Sequence, residues 1–252
     1  QFKAIVTDVA GNTAESNIQS IIVNEDALLI DNLTLVDFID TGVSDTDGIS
    51  NDQQFILDVS GLAAGSTVEY QVSIDGGKTW NATSATQTDL LDGRYQFKAV
   101  VTDAAGNSSD TAVQSITIDT TAPTAGSLVL DVVDSGISDQ DGITQNNSFS
   151  LTLSGQETGA QVVYQVSTDG GATWNTTSAT QTDLLDGSYQ FKAVVTDAAG
   201  NLSETAAQSI TIDTTAPTAG SLVLDVVDSG ISAQDGITQN NSFSLTLSGQ
   251  ET

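Results

Sequence analysis

Apolar and polar residues alternate along this chain with a period of two. In "YQFKAVVTD" (95–103), Tyr95, Phe97, Ala99 and Val101 fall on one face, and Gln96, Lys98 and Thr102 on the other. That is the pattern of a strand buried on one side. "SFSLTLSG" (148–155) repeats it with Phe149, Leu151 and Leu153, and "VVYQVSTDGGATW" (162–174) joins two strands through Asp169-Gly170-Gly171. Glycines there permit the positive φ of a tight hairpin. No segment carries a helical stripe with caps. In chain order the strands are A at "SLVLDV", B at "SFSLTLS", C at "QVVYQVS", a short one at "TWNTTS", E near "ATQTDL", F at "YQFKAVVTD" and G at "AVQSITID". Seven short strands in so short a span predict an immunoglobulin-like sandwich.

The strand pattern is itself repeated. "YQFKAVVTDAAGN" begins at Tyr95 and again at Tyr189, and Trp80 and Trp174 keep the same step, as do Asp47, Asp141 and Asp235. "QFKAIVTDVAGN" opens the chain one residue out of that step, which places an extra residue near Val36. From Asp119 to Thr158 and from Asp213 to Thr252 the sequence is copied with a single change, Asp139 to Ala233. Internal repetition of this kind sets the architecture. The expectation is all-β: tandem immunoglobulin-like sandwiches arranged end to end as a rod. Residues 1–23 supply the F–G end of one repeat, 24–118 and 119–212 are whole repeats, and 213–252 supply the A–B start of another. The chain thus reads as a piece of a longer array. The core is expected to take Trp80, Phe97, Tyr95, Tyr70, Phe55 and Leu128, with their counterparts one repeat on. Tyr95 and Tyr189, after Asp-Gly turns, suit tyrosine corners.

Composition narrows the function. Among 252 residues, 33 are acidic and 5 basic, for a formal net charge of −28. Such a chain disfavours nucleic acid and anionic membrane, both of which need a basic face. The acids are 27 Asp and 6 Glu, and Asp suits turns and compact oxygen cages better than helices. There is no Cys, His or Met, so disulfides and thiol or imidazole chemistry are excluded. No apolar run is long enough to span a membrane as a helix. Paired aspartates serve glycosidases, but here they sit in turns, recur in every repeat, and have no deep pocket predicted beside them. The expectation is no enzyme and no small-molecule substrate. "NATS" (81–84) and "NTTS" (175–178) match glycosylation acceptors, and Trp80 and Trp174 are read as core or hairpin packing rather than as sugar platforms.

The carboxylates are not spread evenly. On a sandwich, the AB loop "DTGVSDTDGIS" (40–50) and the EF loop "LLDG" lie at the end where strand G leaves. The FG loop "TDAAGN" lies at the end where strand A enters. Between the two whole repeats this gathers Asp45, Asp47 and Asp92 from one side, Asp119 from the linker, and Asp197, Asn201 and Glu157 from the other. The same positions one repeat away are Asp103 in the FG loop, Asp134, Asp139 and Asp141 in the AB loop, Asp186 in the EF loop and Asp213 in the linker, with Asp235 in the last copy. Uncompensated carboxylates repel by about 1 kcal/mol per pair at 4 Å in water. A hard divalent cation with six to eight oxygen ligands reverses that sign, and calcium tolerates loop geometry where magnesium does not. If the AB loop binds calcium, Asp139 is peripheral, because the last copy replaces it with Ala233. Asp141, before Gly142, is the stronger ligand, and the last copy should bind more weakly or with one ion fewer.

"TDAAGN", the linker "IDTTAPT" and the loop "DSGISDQDGIT", at fixed offsets, together resemble the bacterial immunoglobulin-like extender repeats of giant secreted adhesins of the repeats-in-toxin and biofilm-associated kind. The first linker, "VNEDALLID" (23–31), departs from that pattern: it lacks Pro and has Asn24 where the later linkers have Asp119 and Asp213, with Glu25 and Asp26 as substitutes. The resemblance implies a secreted or cell-surface segment, a calcium-stiffened rod that projects a binding tip, with neighbouring repeats of the same chain as its partners. Two other readings are repeats that themselves hold a glycan or another surface, and end pieces that pair between chains by strand exchange.

Overall fold

The computed structural model describes residues 1–23, 28–229, 231–232 and 234–249. Every regular element among them is a strand. The chain opens with β1 (Ile5–Thr7) and β2 (Thr13–Glu15). The first complete repeat holds β3 (Thr34–Val36), β4 (Ile49–Ser50), β5 (Phe55–Asp58), β6 (Thr67–Ser73), β7 (Asn81–Thr83), β8 (Thr86–Gln87), β9 (Gly93–Thr102), β10 (Ser108–Asp110) and β11 (Gln114–Ile118). The second holds β12 (Ser127–Asp131), β13 (Ile143–Thr144), β14 (Phe149–Ser154), β15 (Gln161–Ser167), β16 (Asn175–Thr177), β17 (Thr180–Gln181), β18 (Gly187–Thr196), β19 (Leu202–Glu204) and β20 (Gln208–Ile212). Strands β21 (Ser221–Asp225) and β22 (Ser244–Ser248) follow.

Each complete repeat has two sheets. In the first they run β3-β5-β8 and β4-β11-β9-β6-β7, with β10 also on β9; in the second, β12-β14-β17 and β13-β20-β18-β15-β16, with β19 on β18. The alternation read from sequence selects the buried face: Phe97, Ala99 and Val101 are fully buried, as are Phe191, Ala193 and Val195. Across the sandwich, Phe55 meets Phe97 edge-on at 5.5 Å, and Phe149 meets Phe191 at 5.7 Å, the geometry that opposes ring edge to ring face. The tyrosine corners form as expected, with Tyr95 Oη donating to the Leu91 carbonyl and Tyr189 Oη to that of Leu185.

Trp80 departs from the expected core. It is half-buried at the β6–β7 hairpin, with Lys98 Nζ 4.9 Å above its ring, and Trp174 sits likewise beneath Lys192. The ring lies against the glycine turn, its Cζ2 3.8 Å from where a Cβ on Gly77 would stand. Two short elements also lie outside the strand pattern. After β3 and β12 the acidic loop carries the chain to the other sheet, where β4 and β13 run parallel to the ends of β11 and β20. Strand G is broken as well. The pairing of β9 shifts by one residue between Asp110↔Val100 and Gln114↔Phe97, a bulge. The buried Thr111 fills it, its Oγ1 accepting from Ala99 N–H. The extra residue expected near Val36 sits at Asp37, whose φ of 64° ends β3.

The chain divides into two compact units. The first comprises Gln1–Gly126 with Gly155–Val162 and Val194–Glu204; the second comprises Ser127–Ser154, Val163–Ala193 and Thr205–Thr252. The FG loop of the second repeat therefore belongs to the first unit.

Candidate metal and junction site

The acidic loop is organised by its first aspartate, which sequence reasoning left out in two of three copies. Asp40 Oδ2 accepts from Gly48 N–H at 2.9 Å, Asp134 Oδ2 from Gly142 at 3.0 Å, and Asp228 Oδ2 from Gly236 at 3.1 Å. The other oxygen of each carboxylate, Oδ1, is shielded from solvent and has no hydrogen-bond partner. A buried anionic oxygen without a donor is costly. The same unmet oxygen appears in three successive loops. Asp47, Asp141 and Asp235 each accept from the amide two residues on, at 3.0 Å, and remain exposed, as do Asp45 and Asp139.

The linker is tied to the EF loop. Asp92 Oδ1 accepts from Thr120 N–H and Oγ1, and Oδ2 from Thr121 Oγ1. Asp186 does the same with Thr214 and Thr215. These hydroxyls, Thr121 foremost for Asp92 and Thr215 for Asp186, hold both carboxyls below the ordinary range. Both aspartates thus anchor the linker.

Within the first unit, Asp119, Asp197 and Asn201 come together. Asn201 Nδ2 donates to Asp197 Oδ2 at 2.9 Å and to the Asp119 carbonyl at 2.8 Å. Asp197 is buried at 3% exposure and Ala199 at 0%. What covers them is the acidic loop of the first repeat. Thr41 Oγ1 donates to the Ala199 carbonyl at 2.6 Å, and Asn51 Nδ2 to Asn201 Oδ1 at 3.3 Å. The approach is close enough to require glycine on both sides: a Cβ on Gly42 would lie 2.0 Å from the Ala198 carbonyl oxygen, and one on Gly200 2.9 Å from Gly42 N. The FG loop of the first repeat has the same sequence and turn. There the Asn107 amide leads the hydrogen bonds that lower the Asp103 pKa, while Ala104, Ala105 and Gly106 are exposed.

Sequence position thus brings Asp119, Asp197 and Asn201 together and places Asp134, Asp139 and Asp141 in one loop. Asp45 and Asp47 share the loop that Ala198–Asn201 docks against, while Asp92, Asp186 and Asp213 lie along the linkers. Glu157 meets the linker through its backbone N–H, bonded to the Thr124 carbonyl at 3.0 Å. Glu25, Asp26 and Ala233 lie outside the described residues. Among the described residues no three carboxylates stand close enough to form a metal cage. A cation here would complete its shell with carbonyl, amide and hydroxyl oxygens and water, as calcium commonly does. Asp40 was legible only as one Asp among many, because its shielded oxygen depends on how the loop closes.

Two-sheet sandwiches repeated in tandem, with a parallel strand carried across by an acidic loop, define a class of tandem immunoglobulin-like proteins. The family model for the bacterial Ig-like domain matches residues 28–120 and again 122–214, and the chain belongs to that family. No curated protein matches it. Among solved structures it is similar to a Ca2+-stabilized adhesin that helps an Antarctic bacterium reach out and bind ice, at 20% identity and a TM-score of 0.45, covering 90% of this chain and 60% of that one. The chain therefore spans less than two thirds of that structure. It is also similar to the FN1–FN3 domains of chicken CNTN1, at 12% identity and a TM-score of 0.37, covering 82% and 76% of the two chains. A third is the fibronectin(III)-like modules of Clostridium thermocellum CbhA, at 12% identity and a TM-score of 0.35, covering 71% and 92%.

Proposed function

We propose that this chain is an extender segment of a large bacterial cell-surface adhesin, in which calcium stiffens a row of immunoglobulin-like repeats that carries a binding tip away from the cell. The observation that carries the calcium reading is the shielded, partnerless Oδ1 of Asp40, Asp134 and Asp228. Each sits in a loop that also contributes Asp47, Asp141 or Asp235, in a chain of net charge −28. At the junction, Asp119, Asp197 and Asn201 supply further oxygens. Calcium bound there would neutralise carboxylates that otherwise repel and tie the loop of one repeat to its neighbours. The chain's own residues do the rest: Asp92 and Asp186 hold the linkers, and the Thr41–Ala199 bond seats one loop on the next. The role is structural, and its partners are adjacent repeats.

Titrating the chain with calcium by calorimetry tests this reading. Binding with dissociation constants on the order of 10⁻⁴ to 10⁻³ M is expected, as for extracellular calcium modules. The melting temperature should rise with calcium, and Asp134→Ala should remove part of the heat. A titration without heat, together with scattering profiles unchanged by chelator, would overturn it.

A further inference from the structure

The second repeat carries an open counterpart of the surface that holds Ala198–Asn201. A cavity of about 420 Å³ is lined by Ser135, Gly136, Thr144, Gln145, Asp213 and Pro217, among others. Ser135, Gly136, Thr144 and Gln145 stand where the first repeat has Thr41, Gly42, Ser50 and Asn51, and Asp213 stands where it has Asp119. The hydroxyl pair is preserved with its members exchanged: Thr41 and Ser50 lie 3.0 Å apart, as do Ser135 and Thr144. In each pair the second hydroxyl donates to a backbone carbonyl, Ser50 to Ile39 and Thr144 to Val133. With that proton spent, only the first hydroxyl can donate within the pair, and it can give that contact up for an acceptor outside the loop. Thr41 has turned, onto Ala199. The linker beyond is held identically, by Asp186 as by Asp92.

We infer that this cavity is a socket for the Thr-Asp-Ala-Ala-Gly-Asn turn of a complete immunoglobulin-like repeat joined through the Asp213–Pro217 linker. Ser135 donates to the carbonyl of the turn's second alanine, Gln145 meets its asparagine, and Gly136 lies against its glycine. The turn's side chains fit that assignment. The position that is fully buried on docking, Ala199, is alanine in all three turns of this chain, at 10, 105 and 199. The preceding one, exposed at Ala198, is valine at position 9. No side chain is tolerated at Gly42, where the turn would strike it. A Cβ on Gly136 meets nothing within 4 Å, so the space is there to be filled. Docking of this kind is a steric and hydrogen-bonded fit that precedes any cation. It rests on the tandem arrangement and not on the calcium reading.

The test compares the 252-residue chain with the same chain lengthened after Thr252 by a second copy of residues 159–212, which completes the last repeat. Amide NMR shifts of Ser135–Gln145 are recorded in chelator and again in calcium. Lengthening is expected to shift Ser135, Gly136 and Gln145 in both conditions. Ala199→Leu made in the appended copy should return the loop signals to those of the shorter chain, and Gly136→Val, whose φ of 121° strains the loop itself, should leave no difference between long and short chains that both carry it. Ser135→Ala, which leaves the loop backbone free to fold, should weaken the shift. No shift on lengthening, with the appended repeat folded by its aromatic methyl contacts, overturns the socket. So does a shift that ignores all three substitutions. Concentration-dependent shifts in the 252-residue chain, with dimers in sedimentation, would give the cavity to a second copy and overturn this occupant too. A missing calorimetric heat alongside normal loop shifts would sink the calcium reading alone.

Discussion

Asp75 and Asp169 show how much one aspartate organises in this chain. Asp169 accepts from Thr173 Oγ1, Thr173 N–H and Ser167 Oγ, closing the turn over Gly170 and Gly171. Asp75 does the same with Thr79 and Ser73. Led by the threonine hydroxyl, these bonds pull each carboxyl from 3.8 to about 2. A carboxyl depressed on folding contributes stability that is complete above its ordinary value and fades as pH falls through the folded one. The melting temperature should therefore drop between pH 4 and pH 2. In the Asp75→Asn, Asp169→Asn double variant it should start lower at neutral pH and fall less over that interval; an equal fall would show that other groups carry the acid response. Asp-Gly-Gly is readable as a turn in the sequence. That its aspartate is met by two hydroxyls and an amide depended on where Thr173 and Ser167 point.

At the level of the element, the F strand was legible almost residue by residue. Its long alternation has one solution that buries Phe97, Ala99 and Val101 together, because a slip by one residue would expose all three. The G strand was less so. Read as one segment, it is two, since the chain must bulge at Thr111 and Thr205 to keep Ile116 and Ile210 facing inward. Each threonine satisfies a buried alanine amide, Thr205 Oγ1 accepting from Ala193 N–H at 3.0 Å. Thr205→Val keeps the shape and removes that acceptor. Urea unfolding should show a loss of about 1–3 kcal/mol, the cost of a buried donor left unmade; a loss near zero would mean that the bulge reorganises. The strand pairs β4 and β13, two residues each, carry no periodicity at all. They form because the acidic loop delivers them beside β11 and β20.

For the whole molecule, charge is the dominant physical fact. With 33 acids against 5 bases, ion pairs such as Lys3–Glu15 and Lys98–Asp110 offset only a small part of the repulsion. In chelator, monovalent salt should raise the melting temperature steadily as the screening length contracts toward about 10 Å at 0.1 M and about 3 Å at 1 M. With calcium bound at the acidic loops, the same salt series should be flatter. A series of equal slope in both conditions would place the repulsion away from those loops.

Repetition, alternation and turn residues were enough, in the sequence alone, to set strands, repeats and the immunoglobulin-like class, because each is a local or periodic property of the chain. The expectation that carboxylates gather at the poles of the repeats followed from the strand order. What only the tertiary structure decided is which oxygens stay unmet and which are taken. Asp92 and Asp40 are both aspartates in turns, yet both oxygens of the first accept from linker hydroxyls, while the second buries one oxygen with no donor. That difference arises from loop closure across many residues, and no short-range pattern encodes it.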